Sequence, residues 1–147
     1  MPGRATHRRV GVTTAVGVGV WRLKPDESFA SGAGFLLGCA AGGYAGSVAP
    51  DVLEPALTPL HRCMCHSMAA LGGIGHGAMG LLEWADRTRS GPITGADGVP
   101  RTATPADEFL RSLLVGFAVG FVAAYASHLV LDARTPLSLP LIHSRIV

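Results

Sequence analysis

Charge is what this sequence has least of. Asp, Glu, Lys and Arg make up 15% of its 147 residues, where soluble domains carry about 25%. Aromatics are also sparse, with two Trp, two Tyr and five Phe. Disordered chains, coiled coils and nucleic-acid-binding arms all need far more charge than this. Twelve Lys and Arg against ten Asp and Glu leave a formal net charge of +2, too small to call for a polyanionic partner. Cysteine is scarce and odd in number: Cys39, Cys63 and Cys65 cannot all join a closed disulfide framework. Cys63 and Cys65 stand too close in sequence for a comfortable bridge. The three read as small buried hydrophobes in a reduced state.

What the chain has instead is apolar residue and glycine. Apolar types reach 48% with 20 glycines, and the mean hydropathy is +0.37. Four stretches lack Asp, Glu, Lys and Arg. Val10–Trp21 is too short to span a membrane alone, which takes about 20 mainly apolar residues. Ser28–Ala49 has 22 uncharged residues, while Cys63–Leu82 and Ser112–Leu131 have 20 each. Small residues recur four apart, as in Gly34/Gly38, Gly42/Gly46 and Gly116/Gly120, the spacing that lets helix backbones approach closely in a membrane. Glycine costs about 1 kcal/mol against Ala inside a helix in water, so this number of them suits a lipid-embedded or tightly packed bundle. The expected fold is all-α, one small helical membrane domain over residues 1–147 with three to four apolar helices. The same small-residue faces would serve a homo-oligomer.

Arg4, Arg8, Arg9, Arg22 and Lys24 precede the second segment and would keep the N-terminal end cytoplasmic. No small-residue cleavage site follows the first run, so it does not read as a signal peptide. RTRSGPITGADGVPRTATP, residues 87–105, reads as an exposed polar loop. Thr104-Pro105-Ala106-Asp107 then reads as a helix start, with Thr104 as N-cap. A shorter break is expected at Ala49–Pro59, which holds Pro50, Pro55 and Pro59.

Ionisable residues inside apolar segments are costly and need a reason. Here they sit at segment ends: His7, Asp51 with Glu54, His61 with His66, and His128 with Asp132. His128 and Asp132, four apart, share a helix face. Together they chelate a metal, or the Asp orients the imidazole, or the two merely stabilise a buried helix end. His61 and His66, five apart, fall about 140° off a shared face on an ideal helix, so His61 fits the turn and His66 the helix. Asp51 follows Pro50, where a carboxylate can reach into a bundle or simply mark a turn. His7, His76 and His143 have no partner by spacing.

Taken in order, Thr6-His7, Pro50-Asp51, His61-Arg62 with His66-Ser67, and Ser127-His128 with Asp132 and Thr135-Pro136 resemble the LexA-regulated bacterial inner-membrane-associated metal-dependent hydrolases. The similarity runs from Thr6 to about Leu141, and SHLVLDARTP is its most specific piece. The resemblance implies a helical fold distantly similar to zinc-dependent phospholipase C and the single-strand-specific zinc nucleases, in a multi-pass inner-membrane protein. It implies His7, Asp51, His61, His66, His128 and Asp132 as metal ligands, with zinc first and manganese second, a donor set that suits both. It further implies Asp51 or Glu54 as base, Arg62 facing an anionic oxygen, and an ester or lipid phosphoester as substrate. Membrane lipid, and no nucleic acid, is the expected partner. Leu53 and Glu54 stand where the family has Asp and His, and Cys63 and Cys65 where it has Gly and Thr. One metal therefore fits this chain better than two. The rival expectation is a catalytically inactive membrane protein whose His and Asp residues hold helix ends together.

Overall fold

The structure is a computed structural model and describes residues 3–54, 67–95 and 98–133. Four helices carry it: α1 (Arg4–Trp21), α2 (Phe29–Leu53), α3 (Met68–Ser90) and α4 (Pro105–Ala133). A two-residue antiparallel ladder, β1 (Ile93–Thr94) with β2 (Pro100–Arg101), lies between the last two. The architecture is all-helical, as the apolar segments predict. Two of the helices, α2 and α4, are long and apolar enough to cross a membrane.

Three of the four helix starts carry a side-chain cap, and α1 begins after Gly3 without one. The Ser28 hydroxyl accepts from the Ser31 N–H at 3.1 Å, and the Ser67 hydroxyl accepts from Ala70 at 3.0 Å. Before α4, the Asp107 N–H donates to the Thr104 hydroxyl at 3.2 Å and the Thr104 N–H donates back to the Asp107 carboxylate at 2.9 Å. That reciprocal pair satisfies donors a helix start would otherwise leave open. Thr104 is thus the N-cap and Pro105 the first helical residue, as expected.

Two boundaries differ from the sequence reading. Residues 87–90 belong to α3 rather than to the loop. Arg87 and Arg89 fill the last turn, where basic side chains meet the negative end of the helix dipole. The break expected over Ala49–Pro59 does not begin at Ala49, because α2 runs through Pro50 to Leu53, and residues 55–59 lie outside the described residues. Proline removes its own N–H bond and crowds the carbonyl four residues back, and here it sits buried in the last turn, with the Glu54 N–H donating to its carbonyl at 2.9 Å.

α2 and α4 form the central pair. A Cβ built on Gly34, Gly38, Gly42 or Gly46 would fall well under 3.0 Å from the carbonyl oxygen of Phe109, Leu113, Phe117 or Phe121 respectively. Gly116 and Gly120 meet the carbonyls of Phe35 and Cys39 in the same way. Both series advance in the same sense along both chains, so the two helices run parallel in a constant register. A second row on α2 receives α1: Gly43 faces Ala15, Gly19 faces Cys39, and Gly11 faces Ser47. The buried residues of α1 are His7, Gly11, Ala15 and Gly19, one per turn. These are four-residue ridges meshing at backbone distance. Cys39 is buried among them, as a small hydrophobe should be.

The second half of α3 packs into the core beside α4. Leu81, Leu82 and Ala85 join Phe35, Cys39, Val115 and Val119 in the core. The glycines of its first half, at 72, 73, 75, 77 and 80, have nothing within 4 Å of an added Cβ.

A polar clamp ties the helix ends remote from the chain's N-terminus. Arg22 pairs with Asp86 and Arg89 with Glu27. The Arg89 guanidinium carbon also lies 3.7 Å from the centroid of the Phe35 ring, a cation–π contact. Ser31 and Ser112 share a buried hydrogen bond of 2.9 Å. Arg22 and Lys24 therefore stand at the opposite end of α1 from Arg4, Arg8 and Arg9. The basic cluster of the sequence is split between the two ends of the bundle, because a helix of 18 residues is about 27 Å long at 1.5 Å per residue.

Glycine should thus behave oppositely in α2 and α3. Gly42→Ala is expected to destabilise the protein by about 1–3 kcal/mol through overpacking. Gly73→Ala should stabilise it by about 0.5–1 kcal/mol through helix propensity alone. Denaturant unfolding of both variants in detergent checks the pair, and two changes of the same sign would refute the seam.

Candidate metal centre

The seam brings the end of α4, the end of α2 and the start of α1 to one place. On α4 the small-residue row of Ser112, Gly116, Gly120 and Ala124 continues into His128 and Asp132. On α1 the row of Gly19, Ala15 and Gly11 continues into His7. Wherever the small rows mesh, the next residues along them must meet. His7 and His128 stack with ring centroids 4.0 Å apart and planes 26° apart.

Asp132 spans the two imidazoles. One carboxylate oxygen lies 3.5 Å from His7 Nε2 and the other 3.6 Å from His128 Nε2. Asp51 Oδ1 is also 3.6 Å from His128 Nε2. Burial is nearly complete for His128, at 1% exposed, for Asp132 at 4% and for His7 at 5%. Asp51 differs, with a side chain 32% exposed. It forms the open side of the cluster.

The orientation of His128 is set from behind. Its Nδ1 lies 2.7 Å from the Ser47 carbonyl. A carbonyl can only accept, so Nδ1 donates to it and Nε2 is turned towards the carboxylates. Metal-ligating histidines are commonly held by such a bond. The Ser47 hydroxyl in turn donates to the Tyr44 carbonyl at 2.7 Å, and Gly11 allows α1 to lie against Ser47.

These donors fit a divalent cation on two counts. Ligand atoms sharing one tetrahedral zinc at 2.0–2.2 Å stand about 3.3 Å from one another, close to the 3.5 and 3.6 Å seen between imidazole nitrogens and carboxylate oxygens. The ligand atoms of His7, His128 and Asp132 all lie within 4.8 Å of one another. The charge agrees as well. Two carboxylates beside imidazoles, one of them almost fully buried, call for positive charge, and the C-terminal ends of α2 and α4 add negative partial charge that the start of α1 offsets only in part.

The structure therefore unites four expected site residues, His7, Asp51, His128 and Asp132. Glu54 caps the end of α2, half-buried, one turn beyond Asp51. His61, Arg62 and His66 lie outside the described residues, as do Cys63, Cys65 and His143. His76 is exposed on α3, away from the cluster. The spacing argument linked His128 to Asp132 and left His7 without a partner. The structure gives His7 the stacked ring of His128. Ser47 and Gly11 were not singled out from sequence at all, although the run of His7, Gly11, Ala15 and Gly19 at four-residue intervals was there to place His7 on the packed face of α1.

Gly11→Ala tests this dependence of the cluster on the seam. Its Cβ would land 2.5 Å from the Ser47 Cβ, displacing α1 and with it His7. Zinc affinity measured calorimetrically should fall about 10- to 100-fold, the usual cost of losing a group that positions a ligand. Gly17→Ala, with nothing within 4 Å, should leave affinity unchanged. Equal affinities in the two variants would separate the cluster from the seam.

Comparison of the chain with protein-family models, with curated proteins and with solved structures gives no match.

Proposed function

We propose that this chain is a multi-pass inner-membrane protein and a metal-dependent hydrolase acting on an ester or phosphoester. The single observation that carries the reading is the convergence of His7, His128, Asp132 and Asp51 at one end of a bundle built on two membrane-length helices. The large side chains exposed on those helices, among them Phe29, Leu37, Val52, Leu110 and Leu114, support a lipid environment.

His7, His128 and Asp132 would hold the ion, with zinc favoured over manganese by the imidazoles. His61 and His66 would complete the set on the strength of the family resemblance. A divalent cation bound there supplies Lewis acidity, which polarises a carbonyl or phosphoryl oxygen and brings water within reach of deprotonation near neutral pH. Asp132 presents one oxygen towards each imidazole, so the three side chains face a common point. Asp51, the member of the cluster open to solvent, is placed to accept a proton, with Glu54 one turn away as the alternative base. Arg62 would face the anionic oxygen of the substrate. A lipid substrate follows from the position of the cluster at the end of the membrane-length helices.

One feature favours a second reading, a bundle with no catalytic activity. Asp132 already links His7 and His128, and such a buried network can serve only to fix helix ends. Elemental analysis and a phosphodiester assay on detergent-purified protein separate the two. The hydrolase reading expects about one zinc or manganese per chain, lost in His128→Ala. It expects chelation to lower the thermal midpoint of the wild type, because a ligand that binds only the folded state stabilises it by about 2.7 kcal/mol at 100-fold saturation. Asp51→Asn should keep the metal and lose about 10²- to 10⁴-fold in hydrolysis of bis(p-nitrophenyl) phosphate. Metal-free, well-folded protein that is indifferent to chelation would establish the second reading.

A further inference from the structure

Away from the metal cluster, at the other end of the bundle, a groove of about 610 Å³ opens between the end of α3 and the start of α4. Trp84, Arg87, Thr88 and Gly91 line one wall. Their spacing of three, four and seven residues places them on a single helix face. Leu110 and Arg111 of α4 form the other wall, beside Asp107.

The charges in this groove are unequally matched. Asp107 is neutralised by Arg101, which grips it with two bonds of 2.7 and 2.8 Å. Arg111 donates to the carbonyls of Gly91 at 2.6 Å and Arg89 at 2.8 Å. Those are the last carbonyls of α3, so Arg111 caps that helix while its positive charge meets no carboxylate closely among the described residues. Among the described residues Arg87 has only a distant partner, Glu83 at 3.9 Å, and its side chain is 73% exposed. An ion pair so exposed is worth little. Positive charge is therefore in surplus, and the Thr88 hydroxyl adds a neutral donor.

The apolar residues of the groove are as informative. Trp84 is 42% exposed and Leu110 57%, and one turn further along α4 Leu114 is 71% exposed. Apolar surface thus leads from the cationic mouth along the membrane-length helix. Trp at the level where such a helix begins is characteristic of the bilayer interface. A soluble anion would use the cations and leave this surface wet. A phospholipid uses both.

We propose that this groove is a binding site for one anionic phospholipid, its phosphate held by Arg87 and Thr88 beside Arg111 and an acyl chain lying along Leu110 and Leu114. The site rests on the membrane placement of the protein and is independent of the hydrolase reading. It lies at the opposite end of the bundle from the metal cluster, so it selects a lipid of the other leaflet and is not the substrate subsite.

Trp84 is its own reporter. With Trp21→Phe as background, Trp84 is the sole tryptophan of the full chain. Its fluorescence is measured in phosphatidylcholine vesicles doped with brominated phosphatidylglycerol or, at equal mole fraction, with brominated phosphatidylcholine. The anionic lipid should quench with about fivefold higher apparent affinity, the scale set by one basic residue against an anionic headgroup. Arg87→Gln/Thr88→Val should bring the ratio to about one, and Arg9→Gln, at the other end, should leave it unchanged. Equal quenching by the two lipids, or a preference that survives the double variant, would overturn the site and leave the membrane placement standing. No quenching by either lipid would overturn both.

Discussion

Everything in this bundle depends on two helix backbones touching. Along α2 and α4 the side chains that normally keep helices 8–10 Å apart are reduced to hydrogen at every fourth residue, and carbonyl oxygens of one helix occupy the space a Cβ would take on the other. Contact at that distance leaves little freedom to slide. A shift of one residue would bring Ala33 or Phe35 against the α4 backbone instead of Gly34. The seam thus sets the register, and the register determines which side chains meet at its end.

The seam also explains why a chain with so little charge concentrates what it has at two places. Dispersion and close packing hold the middle of the bundle, where no polar side chain is needed to specify the fit. At one end of the seam Arg22, Glu27, Asp86 and Arg89 lock α2 and α3 together with the turn after α1. At the other, His7, Asp51, His128 and Asp132 collect where α1 begins and α2 and α4 end. Because α2 and α4 run parallel, both contribute C-terminal ends there, and the N-terminal end of α1 offsets only one of the two, which leaves the net helix-dipole field favouring a cation. An antiparallel pair would have offset one dipole with the other. The glycines of α3 meet no neighbour among the described residues, while those of the α2–α4 seam are covered.

Much of this was legible one element at a time. The uncharged runs marked the helices, and the pairing of Thr104 with Asp107 was readable because a capping box is complete within four residues. The linkage of His128 to Asp132 was readable for the same reason, since a helical turn brings positions four apart together whatever else the fold does. The extent of α2 was not readable: proline is a breaker by local rule, yet Pro50 falls in a last turn that burial holds in place. The end of α3 was hidden by the polarity of residues 87–90, which read as loop because each is a good loop residue by itself. Their helicity comes from Arg89, whose side chain is drawn into the clamp with Glu27 and Phe35.

The sequence by itself therefore determined that the chain is helical, that its helices are spaced for close approach, and that one face of α4 ends in a His and an Asp. Those are properties of 3.6-residue periodicity and of side-chain size, both of which are local. Only the tertiary structure decided that His7 stacks on His128, that Asp51 joins them, and that the Ser47 carbonyl orients the ring. Those contacts join residues on three different helices, and their geometry follows from how the small-residue rows of α1, α2 and α4 mesh. No spacing along a single strand of sequence encodes that meshing.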